Sequence, residues 1–349
     1  MTERVLTLRE LNRTTLLRQL LLRRRRLSPA GAIERLAGLQ AQWAPSPYLA
    51  LWSRLEGFRR GGLERSLRRD HVLKATLMRA TLHLVSARDY PFFAAAVRDA
   101  QTITRTRGVE PPPAAAVERA IALASERPVT RRELLAILGH EERVDPMVDP
   151  RPLRQLHWLL VLAQLDQTPD LAMWTPARVA RFRNAGIALA PLATAVEHFP
   201  ARYLAAFGPA SRADAAAWSG VPARDLARAF ESLRLRRFRD EHGRELFDLP
   251  RAPIAAADEP APPRLLPRWD NLLLAYKDRT RVLPEDYRTT VIHKNGDVQQ
   301  TLLVDGFVAG LWREEQGRLA LEPFAPLPRT ARRELEAEAR RLGAWLNSG

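Results

Sequence analysis

The sequence contains no cysteine. Disulfides, thiolate zinc sites, iron–sulfur clusters and cysteine nucleophiles are therefore excluded. No apolar run approaches the roughly 20 residues that a membrane-spanning helix requires. The leucine-rich residues 16–22 are interrupted by Arg18 and Gln19 and run into Arg23-Arg24-Arg25-Arg26. The opening MTERVLTLRE has two glutamates and no apolar block, which is not the pattern of a signal peptide, so a cytoplasmic protein is expected. The histidines form neither His-x-x-x-His nor His-Glu-x-x-His, and no metal is expected. Gly-x-x-x-x-Gly-Lys, Gly-x-Gly-x-x-Gly and Gly-x-Ser-x-Gly are all missing, which argues against nucleotide hydrolysis, dinucleotide redox chemistry and the usual serine hydrolases.

Lysine is scarce as well. Lys74, Lys277 and Lys294 are the only three, so 52 of the 55 cations are arginine. A GC-rich genome accounts for that ratio but not for where the charge sits. Residues 1–110 hold 21 cations and 9 anions, a net +12 of the chain's +15. A basic N-terminal third points to a polyanionic partner, and the planar arginine fork suits phosphate. The chain of 349 residues is 46% hydrophobic, enough for a sizeable core in two or more domains.

The pattern along the chain reads as helices followed by hairpins. A helix over residues 12–27, N-capped by Asn12 and apolar at Leu16, Leu17, Leu20 and Leu21, carries the arginine run at its end. Ser28-Pro29 opens a second helix reaching about Gln40, and Pro45 and Pro47 stop it. A third helix holds Tyr48, Leu51, Trp52 and Leu55, and a short basic one spans 63–69. Residues 74–78 and 81–85 form a hairpin around Arg79-Ala80. Helices followed by a hairpin describe a winged helix. The pattern recurs over 116–140, where Thr130 and Glu133 have capping-box spacing, and over 201–250. A Pro/Ala-rich linker covers 252–267. Residues 289–293, 300–304 and 307–312 read as antiparallel strands with Asn-Gly and Asp-Gly turns, and a charged helix covers 329–346. The expected fold class is α+β, mainly α, with tandem winged-helix units and a β-rich C-terminal domain. The expected divisions are 1–110, 111–200, 201–255 and 256–349.

Three segments compete for chemistry. Gln40-Ala41-Gln42 is cheap by chance, about 0.3 such pairs in a chain with ten glutamines, and locally it reads as a polar helix end. Side chains two apart diverge by about 200° on a helix but converge where the chain is extended. His83 within the hairpin is most simply structural. Residues 269–284 are a strand-like apolar run framed by polar residues, either a strand entering a turn or a segment that meets DNA.

Taken in order, Gln40-Ala41-Gln42 with the Ser46-Pro47-Tyr48 turn, then Arg79-Ala80-Thr81-Leu82-His83, then Trp269-Asp270-Asn271-Leu272 with Asp278-Arg279-Thr280-Arg281 and Gly310-Leu311-Trp312, resemble the AlkZ/YcaQ-type winged-helix DNA glycosylases. The Gln-x-Gln form places the resemblance in the AlkZ-like branch. It implies a concave DNA-binding surface of tandem winged helices, with Gln40 and Gln42 as the catalytic pair. The implied activity is monofunctional hydrolysis of the N-glycosidic bond of N7-alkylated purines in double-stranded DNA, including bulky adducts and interstrand crosslinks. It involves no lyase step and no cofactor, as in DNA repair or self-resistance to alkylating natural products. Gln42 is assigned to the water and Gln40 to its support. DNA contacts are expected from Arg23, Arg24, Arg25, Arg26, Arg79, Thr81, His83, Asn271, Lys277, Arg279 and Arg281. A monomer acting at the bacterial nucleoid is expected. The alternative is a non-catalytic winged-helix regulator, which has no need of Gln40 and Gln42.

Overall fold

A short strand, β1 (Arg4–Leu6), leads into helix α1 (Leu8–Arg18). The computed structural model describes residues 3–104, 109–140, 149–315 and 318–348. Thr7 and Glu10 close a capping box at the start of α1, so the helix begins ahead of the expected cap at Asn12. Asn12 is instead buried, donating through Nδ2 to the carbonyls of Arg281 (2.7 Å) and Gly306 (2.9 Å). Leu20, at φ 59°, ends the helix. The arginine run beyond it does not finish a helix as expected. Arg25 instead lies in a parallel bridge with Leu55.

Helix α2 (Pro29–Arg35) is capped by Ser28, whose Oγ accepts from Gly31 N (3.1 Å). It stops short of the expected end at Gln40 because Ala37 (φ 57°) and Gly38 (φ 93°) turn the backbone left-handed. Then come β2 (Leu39–Gln40), α3 (Pro45–Arg54), α4 (Arg60–Arg68), β3 (Val72–Thr76) and β4 (Leu82–Ser86), the last two closing the expected hairpin. Next are α5 (Tyr90–Thr104), α6 (Ala114–Glu126), β5 (Val129–Thr130), α7 (Arg131–Ile137), α8 (Arg151–Leu162), β6 (Leu165–Gln167) and β7 (Arg181–Asn184). The Thr130–Glu133 capping box is present at the start of α7. Helices α9 (Leu192–Phe207), α10 (Arg212–Ser219) and α11 (Ala223–Ser232) precede the hairpin β8 (Arg236–Asp240) and β9 (Glu245–Asp248). The last part comprises β10 (Arg264–Leu266), α12 (Asn271–Leu274), α13 (Arg288–Val291), β11 (Thr301–Val304), β12 (Phe307–Glu315), β13 (Arg318–Pro323) and α14 (Arg329–Asn347). The mixture is α+β.

Three C-terminal expectations change. Residues 269–284 do not form a strand. Asp270 Oδ1 accepts from Leu272 N (3.0 Å) and caps the helical turn α12. Residues 289–293 do not form one either, since the helical turn α13 occupies most of them and only Ile292 bridges to Val298. The 252–267 linker contains β10, an outer strand of the antiparallel sheet β10-β11-β12-β13.

The first and second helix-and-hairpin units share a six-stranded sheet, ordered β2-β4-β3-β6-β7-β5, in which Lys74 pairs with Gln167. Strand β1 crosses the chain to pair in parallel with β8. Two sealed ion pairs reinforce these long-range joints. Arg18 meets Asp248 (2.8 and 2.6 Å), and Arg54 meets Asp270 (2.9 and 2.7 Å). An aromatic cluster of Phe93, Phe199, Tyr203, Phe207 and Trp218 fixes α10, with the Trp218 ring 5.3 Å from both Phe199 and Tyr203. Burying each large apolar side chain contributes roughly 1.5–3 kcal/mol. The carbonyl of Trp218 thereby gains a fixed address.

Candidate active site

Gln40 lies on β2, at the edge of the six-stranded sheet, paired across the antiparallel ladder with His83. Ala41 N continues the ladder to Leu82 O (2.7 Å). The chain through residues 39–41 is therefore extended, and the 200° divergence of a helix does not apply to Gln40 and Gln42. Gln40 is 6% exposed, whereas Gln42 is exposed on the turn that enters α3.

The orientation of both amides follows from chemistry. Gln40 Oε1 accepts from Arg79 Nη2 (2.8 Å), and Gln42 Oε1 accepts from the backbone N–H of Leu82 (2.9 Å). A guanidinium and a peptide N–H can only donate, so the atom facing each must be oxygen. Each glutamine thus has its carbonyl anchored to the 77–82 turn, and neither Nε2 has a partner among the described residues. Each carbonyl oxygen keeps a second lone pair.

The backbone at Gln40 is clasped from the C-terminal part of the chain. Asn271 Oδ1 accepts from Gln40 N (3.3 Å), while its Nδ2 donates to Gly38 O. Asn271 is 3% exposed, so in place of the expected DNA contact it acts as a substitute strand partner for residues 38–40. Gly38 lets this stretch lie close against β4. At φ 93° an L side chain is strained, and a Cβ there would lie 3.0 Å from Val85 Cγ1 and 3.1 Å from Leu84 O.

His83 is 1% exposed and is not available to DNA as expected. Its Nδ1 donates to the Thr81 carbonyl (2.9 Å), which leaves Nε2 as a buried lone pair without a partner. Burial, helped by the neighbouring Arg79 charge, pushes its pKa down to about 3. His83 is thus a neutral ring beneath Gln40 at physiological pH and not a proton donor. Thr81 is half-buried, its hydroxyl donating to Met78 O (3.0 Å) within the same turn.

The other expected contacts separate by burial. Arg281 is 5% exposed, donates to Pro209 O (2.9 Å) and stacks on Tyr276, 4.1 Å from the ring centroid. Arg24 is largely covered, bonded to Glu338 (2.6 Å) and stacked on Trp52. These two guanidinium groups are structural, contrary to expectation. Arg279 is half-buried and donates to Leu273 O (2.8 Å), and burial, then the Arg288 charge, lowers its pKa. Arg23, Arg25, Arg26 and Lys277 remain exposed. Arg23 pairs with Glu259 and Arg26 with Glu56 in solvent-facing contacts.

The sequence reading missed two groups that shape the site. Arg54 and Asp270 lock α12 against α3 and so place Asn271. The Trp218 carbonyl receives Arg79 Nη1. Asp followed by Asn and three leucines is a helix N-cap pattern and signalled the first; no local pattern signals the second. No group of three or more candidate metal-ligating side chains occurs among the described residues.

A family model described as "DNA glycosylase AlkZ-like" matches residues 33–345. No curated protein sequence matches the chain. Among solved structures, Streptomyces sahachiroi DNA glycosylase AlkZ is similar, with a TM-score of 0.81 over 97% of each chain at 23% identity. At that identity the structural likeness is one of fold.

Proposed function

The chain belongs to the DNA glycosylase AlkZ-like family, and from that premise we propose that it hydrolyses the N-glycosidic bond of N7-alkylated purines in duplex DNA, with Gln40 and Gln42 as the catalytic pair. The observation that carries this reading is the anchored Gln-x-Gln itself: two neutral amides, each fixed by a donor on the 77–82 turn, with the second one exposed.

The chemistry suits amides. An N7-alkylated purine is cationic, so the bond electrons leave with the base and neutralise it without a general acid. Water adds to C1′ and its proton passes to solvent. The protein then has to hold the water and stabilise an oxocarbenium-like transition state, which dipoles fixed in advance do well. Gln42 Oε1 has a lone pair left for that water, and its exposure leaves room for bulky adducts and crosslinks. Strand cleavage is not part of the proposal. Lys74, the lysine nearest in sequence, is 6% exposed and its Nζ donates to Leu171 O (3.0 Å). The helix-and-hairpin units would serve as tandem winged helices on the duplex. Arg23, Arg25, Arg26 and Lys277 are the phosphate contacts of this reading, in a monomer acting at the bacterial nucleoid. No helix among the described residues is long and apolar enough to cross a membrane.

The test is base release from a duplex carrying N7-methylguanine, for wild type beside Gln40→Ala and Gln42→Ala. Abasic sites from wild type and few from the variants are expected. Tight binding without release, on this duplex and on one with a bulkier N7 adduct, would return the protein to the regulator reading.

A further inference from the structure

Arg79 sits at the tip of the β3–β4 hairpin, where a cation is expected to reach a DNA phosphate, yet its guanidinium faces inward. Nη2 donates to Gln40 Oε1 (2.8 Å) and Nη1 to the Trp218 carbonyl on α10. Its backbone is left-handed (φ 54°, ψ 22°), followed by Ala80 at φ 56°. Two consecutive non-glycine residues in that region are strained, and persist only where the surrounding structure holds them. The turn that holds them is closed by Ala80 N to Leu77 O (2.9 Å) and Thr81 N to Met78 O (3.1 Å).

We propose that Arg79 is a positioning residue of the excision site: spanning from Trp218 to Gln40, it fixes the Gln40 amide so that Nε2, the donor end, is presented to the substrate. This rests on the reading of Gln40 and Gln42 as the catalytic pair. The terminal amide torsion of glutamine is soft and roughly two-fold, so an untethered Gln40 exchanges its oxygen and nitrogen ends. The guanidinium removes that freedom, because only oxygen can face it. Electrostatics limits the role, since the donor end of an amide gives no help beside a developing oxocarbenium: Nε2 is left to acceptor atoms of the departing base, and Gln42 Oε1 to the cationic centre. A cation beside a developing oxocarbenium is unfavourable by charge, so the value of Arg79 lies in geometry, with the Gln40 carbonyl between the two. The glutamines then differ in function. Gln40, its oxygen engaged by a full charge, acts as a donor. Gln42, its oxygen engaged by a neutral peptide, keeps the better acceptor.

Two variants of similar size isolate the claim. Arg79→Gln keeps a neutral donor and Arg79→Met has none, while both lack the charge. The readouts are the single-turnover rate constant for N7-methylguanine release at saturating protein, and Kd for the same duplex at two salt concentrations. R79M is expected to lose about 10²-fold in the rate constant, the scale of a misplaced catalytic group, with Kd unchanged. R79Q is expected to recover at least tenfold of that, and R79M with Q40A to be no slower than Q40A alone. Equal losses in Kd for R79M and R79Q, a salt slope smaller by about 1 and a wild-type rate constant would make Arg79 a phosphate contact and overturn the proposal. Losses that multiply in the double variant overturn it too. Gln40→Glu gives a check that leaves Arg79 intact: it keeps the contact, removes the donor and is expected to be as slow as Q40A, so a wild-type rate refutes the donor role. A wild-type rate in Q40A overturns the catalytic reading itself, and this proposal with it. A slow Q40A beside a wild-type R79M overturns this proposal alone.

Discussion

Replacing Asp270 with asparagine changes one atom and removes one charge. Both partners of the Arg54–Asp270 pair have 0% side-chain exposure. The carboxylate receives two guanidinium bonds, at 2.9 and 2.7 Å, and the rest of Arg54 is spent on Gln19 O (3.0 Å) and Ala50 O (3.1 Å). Asparagine retains an oxygen to cap Leu272 N and receive Arg54 Nη2, but it turns an NH2 onto Arg54 Nη1, so the loss is that of the countercharge and of one acceptor. An arginine left buried without its anion costs about 3–5 kcal/mol, a large share of the 5–15 kcal/mol that typically holds a domain together. Arg26–Glu56 is the control. It is also short, 2.6 Å, but its side chains are 87% and 54% exposed, and Glu56→Gln should cost about 0–1 kcal/mol. Urea unfolding of the two variants, compared at unchanged slope, is the assay. A D270N cost below about 1 kcal/mol, or one equal to that of E56Q, would refute the reasoning that solvent exclusion sets the value of this pair.

Gly38→Ala should destabilise the protein by roughly 1–3 kcal/mol, because alanine at φ 93° is strained, and should slow base release by shifting Gln40; a melting curve and the release assay read both. Burial lowers the Lys74 pKa to about 8. The unfolded chain, with an ordinary lysine near 10.4, therefore binds more protons between those values. Stability contributed by this group rises as pH climbs from about 8 towards 10.4, and Lys74→Met should flatten that rise in pH-dependent urea midpoints. Changing Arg23, Arg25 and Arg26 to glutamine should reduce the salt dependence of duplex binding by about 0.9 in slope for each phosphate no longer neutralised, with the saturated release rate preserved.

The parts legible in the sequence were those set by local chemistry. The Thr130 capping box and the β3–β4 hairpin each declare themselves within a few residues, whereas Gln40-Ala41-Gln42 stands out only through the order of the segments that follow it. The setting of that motif was not legible. Ala37 gives no sign that it adopts φ 57°, and without that the helix reads on to Gln40. Residues 269–284 failed on an ambiguity that length alone does not resolve, since a short apolar run fits a strand or a helical turn, and the Asp270 cap decided it. Arg281 and Arg24 look like surface cations until Pro209, Tyr276, Trp52 and Glu338 arrive from elsewhere in the chain. Arg79 shows the same gap, because its partner on α10 is 139 residues away.

The stitching of β1 to β8 and of Arg18 to Asp248 also sets a timetable for synthesis. At roughly 5–20 residues per second, a ribosome needs on the order of 10–50 s to travel from the first partner to the second. Throughout that interval the leucines of α1 and the arginines behind it have emerged and their seat has not. The opening segment therefore waits as a sticky, cationic tether. Slowing translation before β8 should lengthen its exposure to chaperones and proteases while leaving the finished molecule unchanged.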